Sequence, residues 1–348
     1  MHDLLRSYAA DLAAEEDPPE AIREARARLL DHFLHTAERA DKALYPQREP
    51  VDLPPARPGV RPEHVESHAA ALDWYRTEFR TLLAAADHAA EHGFDAHACL
   101  IPQCTATFFH RSGHWLEWVD ACRRALVAAE RLGDPGLRAN MHRGLGRAAT
   151  LLHRWDEAED HLHTALRLFR EAGDRVSEGY VLVNISGIFE IGSRSTEALP
   201  LQLSALELFR EIGHAHGQAR ALTSSGWSYH LIGRHDEAVR HSMDAIALYE
   251  GLSDLPGHAS AIDTLGLAYR ELGRLEEALT VQREGVRLFA QSGDRYYEAG
   301  SWSDLAETLR RTGDVEAARA ALRRSLAVFE ELRHPRAGEV RRELDALT

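Results

Sequence analysis

The sequence predicts an all-α protein built as an array of about six helical hairpins, each about forty residues long. Three observations predict this fold: helix-stopping residues recur every twenty positions, small and large apolar residues recur every forty, and the final segment is amphipathic. A chain of 348 residues is long for one compact core but ordinary for an elongated array.

Glycines mark a twenty-residue interval along most of the chain. Nine of the thirteen positions counted by twenties from residue 93 are glycine, far more than the 24 glycines of the whole chain would place there by chance. Glycine ends helices because it adopts the left-handed conformation at little cost, so each interval predicts one helix and one turn. The thirteen positions are Gly93, Gly113, Gly133, His153, Gly173, Ser193, Gly213, Gly233, Ser253, Gly273, Gly293, Gly313 and Arg333.

Apolar positions repeat every forty residues, which makes the hairpin the repeating unit. A small residue in one helix lets its neighbour approach, and an aromatic residue fills the space toward the next hairpin. Trp118 departs from this pattern because it stands where the small residue is expected. The small positions are Ala158, Ala198, Ala238, Ala278 and Ala318, and the aromatic positions are Phe169, Phe209, Tyr249, Phe289 and Phe329.

Three regions are expected. Residues 1–92 form a helical extension with a helix over 20–44, a proline-rich linker at 46–62 and a long helix over 63–92. The array covers 93–332. Residues 333–348 are expected to form a capping helix that uses Val340, Leu344 and Leu347. The sequence leaves open whether residues 1–92 cap the array or occupy its groove.

The hairpins resemble tetratricopeptide (TPR) repeats over about residues 95–332, although the usual repeat has 34 residues. The resemblance implies a right-handed superhelix in which the first helix of each hairpin lines a concave face. The signature residues that match are Leu265, Gly266, Tyr269, Gly273 and Ala278 in one copy, and Gly226, Tyr229, Gly233 and Ala238 in the copy before it.

The same resemblance implies candidate ligand contacts on the concave face. Amides can pair with a peptide backbone, arginines can bind a carboxylate, and aromatic rings give large apolar contacts. In the competing interpretation, Tyr180 and Trp227 fill space between hairpins and Asn184 caps local backbone. The candidates are Asn140, Arg143, Arg147, Tyr180, Asn184, Glu190, Arg220, Thr223, Ser224, Trp227, His230, Asp263, Arg270, Asp304, Glu307 and Arg310.

A second resemblance concerns the extension. The phrase MHDLLRSYA (1–9) and the pattern W-x-x-x-E-x-x-x-LLAAA-x-x-AAEHG (74–93) resemble the C-terminal third of AfsR-like regulators, in the Streptomyces antibiotic regulatory protein family of NB-ARC signalling ATPases. The resemblance implies an actinobacterial sensor and autoinhibitory region, excised or stand-alone, that regulates antibiotic biosynthesis. Its partners would be a peptide, a protein or a small signal, or the family's DNA-binding and nucleotide-binding modules.

Charge and composition disfavour other classes of protein. The net charge of −14 argues against direct nucleic-acid binding. Apolar runs are too short for a membrane helix, and no secretory signal is present, so a cytoplasmic location is expected. Three cysteines are too few for a disulfide framework. Lys42, the only lysine, does not follow a glycine, so no phosphate-binding loop of the G-x-x-x-x-G-K type exists.

Catalytic, cofactor and metal sites are not predicted. No G-x-S-x-G nucleophile motif occurs in the sequence. His88 and His92 have a spacing that can hold a metal, but no third ligand is apparent. Two further histidine pairs, His161 with His163 and His214 with His216, diverge on a helix. The alternative functions are a scaffold for protein assembly or self-association, and an enzyme that uses the groove as its active site.

Overall fold

The computed structural model describes residues 8, 11–13, 15–47, 49–191, 194–252 and 254–347. Fifteen helices lie between Pro19 and Asp345, and no strand occurs among the described residues. None of these helices is both long and apolar enough to cross a bilayer. The extension contributes α1 (Pro19–Leu44) and α2 (His68–Glu91), and α15 (Ala337–Asp345) ends the fold.

Between α2 and α15, the helices form the six hairpins that the sequence predicts, so the all-α superhelix is confirmed. The first helices of successive hairpins contact one another, which places them in one continuous row. The hairpins are α3 (Asp95–Ser112) with α4 (Trp115–Leu132), α5 (Pro135–Leu151) with α6 (Trp155–Ala172), α7 (Arg175–Ile191) with α8 (Ser195–Glu211), α9 (Ala215–Leu231) with α10 (His235–Tyr249), α11 (Leu255–Glu271) with α12 (Leu275–Ser292), and α13 (Arg295–Arg311) with α14 (Val315–Glu331).

Left-handed residues end these helices at the twenty-residue interval. All nine predicted glycines have φ between 67° and 87°. His153 and Arg333, which replace glycine at two stops, are also left-handed, with φ of 59° and 52°. Ser193 and Ser253 lie outside the described residues. The turn geometry therefore comes from the position in the repeat, and glycine is the residue that adopts it at least cost.

The forty-residue columns form the core between hairpins. All five column alanines are fully buried, and the column aromatics are at most 2% exposed. Phe209 packs so closely on Gly217 that a β-carbon there would lie 2.2 Å from the ring. Trp118 fits at the small-residue position because Gly144, opposite its indole, has no side chain. Each fully buried aromatic contributes about 1.5–3 kcal/mol of hydrophobic stabilisation.

The extension packs against the first hairpin, and the chain that follows α1 runs back along α1. The helix expected over 63–92 begins at His68, because the Ser67 hydroxyl accepts a hydrogen bond from the Ala70 amide. Residues 49–67 run back beside α1, where the guanidinium and backbone N–H of Arg57 both donate to buried Asp31. The phrase MHDLLRSYA lies outside the described residues except for Tyr8.

The two ends of the array meet. Trp115, at the start of α4, packs edge-on against Tyr296 of α13 and against His334, with ring centroids 5.7 and 5.6 Å apart. Leu332 packs onto Gly113, where a β-carbon would lie 2.8 Å from its methyl group. The first hairpin is therefore in contact with the last one.

Helix-stop geometry can be tested at Arg333, whose side chain is exposed. We expect Arg333→Gly to raise the free energy of unfolding by about 0.5–1 kcal/mol, because glycine removes the left-handed backbone strain. Gly213→Ala is the opposite change at an open position with φ of 70°, and it should lower stability by about 1 kcal/mol. Urea unfolding measures both, and a destabilised Arg333→Gly variant would contradict this account of the turns.

Candidate functional site

The centre of the concave face is built around Tyr180 of α7. Its side chain is 7% exposed. The guanidinium groups of Arg143 from α5 and Arg220 from α9 lie 5.4 and 5.6 Å from the centre of its ring. Three consecutive hairpins therefore bring one aromatic ring and two arginines together, as expected of residues on one lining face.

His216, at the start of α9, connects this centre to the next hairpin. The Tyr180 hydroxyl lies 2.6 Å from His216 Nδ1, and Asp254 Oδ2 lies 2.7 Å from His216 Nε2. Asp254 also accepts a hydrogen bond from the Gly257 amide at 3.0 Å and so caps α11. Burial raises the pKa of Asp254, but His216 and the Gly257 amide outweigh it, so the pKa lies below its usual value.

The extension contributes a residue to the same centre. The Tyr45 hydroxyl lies 2.9 Å from His216 Nε2, and the two rings meet edge-on at 5.3 Å. Arg220 is in hydrogen-bond contact with the same hydroxyl, and burial together with the charge of Asp254 raises the pKa of Tyr45. The concave face is therefore occupied, at its middle, by a residue from outside the array.

Trp227 and His230 form a second cluster, further along α9. Their rings stack at 5.4 Å, and His235 lies 5.3 Å from His230. Trp227 is half-buried, so part of the indole remains accessible. Burial and the neighbouring His235 lower the pKa of His230 to about 4, so its imidazole is neutral at physiological pH.

Glu190, at the end of α7, forms a third cluster. Its Oε1 accepts hydrogen bonds from Gln202 Nε2 at 2.6 Å and from the Ser228 hydroxyl at 2.8 Å. Burial raises the pKa of Glu190 to about 7 even though both hydrogen bonds lower it. The carboxyl group is therefore only partly ionised at neutral pH.

Acidic residues from the last two hairpins form a fourth cluster. Asp263 accepts a hydrogen bond from the Ser301 hydroxyl at 2.8 Å, and Arg270 Nη1 lies 3.8 Å from Asp304 Oδ1. Burial raises the pKa of both carboxyl groups, and the mutual repulsion of Asp263 and Asp304 adds to the rise at Asp263. Arg270 is buried and acts within this cluster rather than as an exposed clamp.

The remaining candidates divide between local contacts and the lining face. Asn140 donates to the Gly136 carbonyl at 3.1 Å, and Thr223 donates to the Ala219 carbonyl at 2.9 Å, so both satisfy their own helices. Arg147 lies 5.1 Å from the Trp118 ring. Asn184 Nδ2 is buried and has no hydrogen-bond partner among the described residues. Asn184 Nδ2 therefore caps no local backbone group among those residues, although the competing interpretation expected such a cap.

Two candidates near the end of α13, the first helix of the sixth hairpin, form an ion pair with each other. Arg310 Nε donates to Glu307 at 2.7 Å, three residues away on the same helix, and Arg310 is exposed. Such exposed pairs contribute little to stability. Ser224 lies beside Thr223 and is half-buried.

His214, His216 and Asp254 belong to or border the central cluster, and the sequence analysis did not select them. His214 and His216 were considered from the sequence only as a possible metal-binding pair whose side chains diverge. The missed signal is another forty-residue column, in which Asp134, Asp174, His214 and Asp254 each cap the helix that follows. His214 replaces aspartate in that column and accepts a hydrogen bond from the Gly217 amide. The column is Asp134, Asp174, His214, Asp254, Asp294 and His334.

Glu91 adds a third ligand atom to the His88 and His92 pair, which the sequence analysis did not recognise. Their potential ligand atoms lie within 4.8 Å of one another. However, His92 Nδ1 lies 2.9 Å from the His88 carbonyl, and burial, His92 and the positive charge of Arg26 lower the pKa of His88. The nearby arginine also disfavours a bound cation.

Outside the concave face, a cleft of about 540 Å³ opens between α12, α13 and α14. Trp302 and Leu305 line it, and Arg324 lies 4.7 Å from the Trp302 ring. None of the sixteen candidate residues from the sequence analysis lines this cleft.

Glu190 gives the concave face a measurable pH dependence. Because its folded pKa of about 7 exceeds its ordinary value of 4.5, its contribution to stability is complete below pH 4.5 and is lost as the pH rises through 7. We expect Glu190→Gln to be about 2 kcal/mol more stable than the parent chain at pH 8 and nearly equal to it at pH 4.5. Urea unfolding of both chains at pH 4.5 and at pH 8 measures this difference in stability. Glu207→Gln, at an exposed site on α8, is the control, and an equal gain there would contradict the assignment.

Comparison with known proteins identifies the repeats. Residues 179–251 and 254–338 match the tetratricopeptide-repeat model. The regulatory protein AfsR of Streptomyces griseus is 32% identical over 181 residues, which is 51% of this chain but only 18% of that protein. The chain thus matches less than a fifth of this curated relative's length.

Two solved structures share the fold at low sequence identity. NprR in complex with its cognate peptide NprX has a TM-score of 0.56 and 17% identity, covering 76% of this chain and 78% of that one. A Rap protein complexed with competence and sporulation factor has a TM-score of 0.55 and 16% identity, covering 72% and 75%. At this low identity the two structures show the fold alone. Residues 179–251 and 254–338 are tetratricopeptide repeats by the family match, and the chain is related in sequence to the regulatory protein AfsR.

Proposed function

We propose that the concave face binds an extended peptide or protein segment, and that the chain is the sensor region of an AfsR-like regulator of antibiotic biosynthesis, acting in the cytoplasm. The observation that carries the proposal is the convergence of Arg143, Tyr180 and Arg220 from three successive hairpins. Arginine forks and aromatic rings are the groups that dominate peptide and protein recognition. The proposal requires no catalytic step.

Unsatisfied polar atoms on the same face support ligand binding. Asn184 Nδ2 and His230 Nδ1 are buried and have no hydrogen-bond partner among the described residues. Leaving such an atom without a partner costs about 1–3 kcal/mol, and a peptide carbonyl or amide placed against it would recover part of that cost. Asn184 lies one helical turn after Tyr180 on α7, so a single extended ligand can reach both.

The relatives agree with this proposal. NprR forms a complex with its cognate peptide NprX, and the Rap protein forms one with competence and sporulation factor. Their identity to this chain is too low to transfer residues, so the assignment of contacts here comes from the geometry of the concave face. AfsR supplies the regulatory context, since it is a regulatory protein with sequence similarity to this chain.

Trp227 tests peptide binding. We expect dodecapeptides selected from a phage-displayed library on the intact chain to bind Trp227→Ala roughly 10- to 30-fold more weakly, because a part-exposed indole is an efficient anchor. The melting temperature should change little. Trp302→Ala in the outer cleft is the matched control and should retain the parent affinity. Loss of binding in Trp302→Ala alone would place recognition outside the concave face and contradict the proposal.

The regulatory role can be tested with the N-terminal modules of Streptomyces griseus AfsR. We expect the chain to co-purify with these modules and to prefer one nucleotide state at least tenfold, because a sensor must bind two states of its partner unequally to shift their equilibrium. Titration calorimetry with ATP and with ADP measures the difference. Equal affinity in both states, or no binding in either, would contradict the sensor role.

A further inference from the structure

The segment that follows α1 enters the concave face. Pro46 disfavours helical geometry at Tyr45, whose φ of −144° and ψ of 76° end the helix. The Leu44 carbonyl accepts a hydrogen bond from Arg111 Nη1 at 2.9 Å, which fixes the end of α1 beside α3. Tyr45 is therefore directed toward α9, 171 residues further along the chain.

Tyr45 is held by several groups from different elements. Its hydroxyl contacts His216 Nε2 at 2.9 Å and Arg220, and its ring lies edge-on to His216 and 5.7 Å from the Arg111 guanidinium. Four residues later, Glu49 Oε1 lies 2.6 Å from His214 Nε2. The segment thus makes one phenol contact and one carboxylate contact on the same helix terminus.

These contacts define the chemistry that the site selects. His216 and Arg220 recognise a hydroxyl, whereas a phenylalanine in this place would leave them without it. Asp254, Arg220 and Arg111 all face this hydroxyl, so the site places one acidic and two basic groups around the phenol. His214 is placed to bind a carboxylate about four residues further along the ligand.

We propose that His214, His216 and Arg220 form a binding site for peptides with a tyrosine followed four residues later by an acidic residue, and that Tyr45 and Glu49 occupy this site as an intramolecular competitor. This inference rests on the proposed function and specifies its ligand class and its regulation. A tethered segment has a high effective concentration, in the millimolar range for short tethers, so an external peptide binds only in so far as it displaces the segment.

The test uses the intact chain and a fluorescein-labelled peptide with the sequence of residues 43–52, ALYPQREPVD. The Tyr45→Ala, Glu49→Ala double variant should bind this peptide at least tenfold more tightly than the parent chain does, because its site is vacated. Asp52→Ala, an exposed change in the same segment, is the matched control and should behave as the parent does. Fluorescence anisotropy gives the dissociation constants.

Peptide variants test the chemistry of the site. Replacing tyrosine by phenylalanine in the peptide should weaken binding to the double variant about fivefold, through loss of the hydroxyl contacts. Equal affinity of the tyrosine and phenylalanine peptides would overturn the proposed selectivity, and equal affinity of the parent chain and the double variant would overturn the competition.

Two further outcomes are decisive. The inference is overturned if the double variant does not bind the peptide at about 1 mM, which is a typical effective concentration of a tethered segment. If that variant is poorly folded, Tyr45→Phe with Glu49→Gln preserves packing and removes the polar contacts, and it should give the same order of affinities. Library peptides that bind through Trp227, with no effect of either double variant, would overturn this inference and leave the proposed function standing.

Discussion

The fold depends on a backbone constraint at each helix end, where a residue must adopt the left-handed conformation about every twenty positions. Nine glycines satisfy it at little cost, and His153 and Arg333 satisfy it with strain. Because the stops are evenly spaced, the helices have nearly equal lengths, and their apolar columns align at forty residues. Alignment is what allows Phe209 to pack against a glycine of the next hairpin, and this contact is repeated with Tyr249.

Equal hairpins place their first helices in one row. Polar side chains there are partly removed from water, and the pKa of Glu190 and of Asp263 rises as a result. Polar atoms buried on such a face need a hydrogen-bond partner from another segment or from a ligand. Tyr45 supplies one partner at the centre, whereas Asn184 Nδ2 and His230 Nδ1 have no hydrogen-bond partner in the part of the chain that the structure describes. The concave face is therefore occupied at its centre and carries unsatisfied polar atoms elsewhere.

Periodicity explains what could be predicted from the sequence. Helix stops and the alanine and aromatic columns repeat at a fixed interval, so local rules locate them. The lining positions Tyr180 and Arg220 came instead from the resemblance to tetratricopeptide repeats. Contacts without periodicity could not be predicted. Tyr45 and His216 are 171 residues apart, and nothing in the proline-rich segment indicates which surface it meets. The closure through Trp115 and Tyr296 likewise depends on superhelical curvature accumulated over all six hairpins.

A double-mutant cycle between Tyr45 and His216 tests the central claim most directly, since it measures whether the extension and the array interact in solution. The single changes are Tyr45→Phe and His216→Gln, and urea unfolding gives the free energy of each variant and of their combination. The account predicts a coupling energy of about 1 kcal/mol, as expected for a hydrogen bond in a partly buried site. Strictly additive effects would contradict it, because they would mean that the tyrosine hydroxyl does not rest on the concave face.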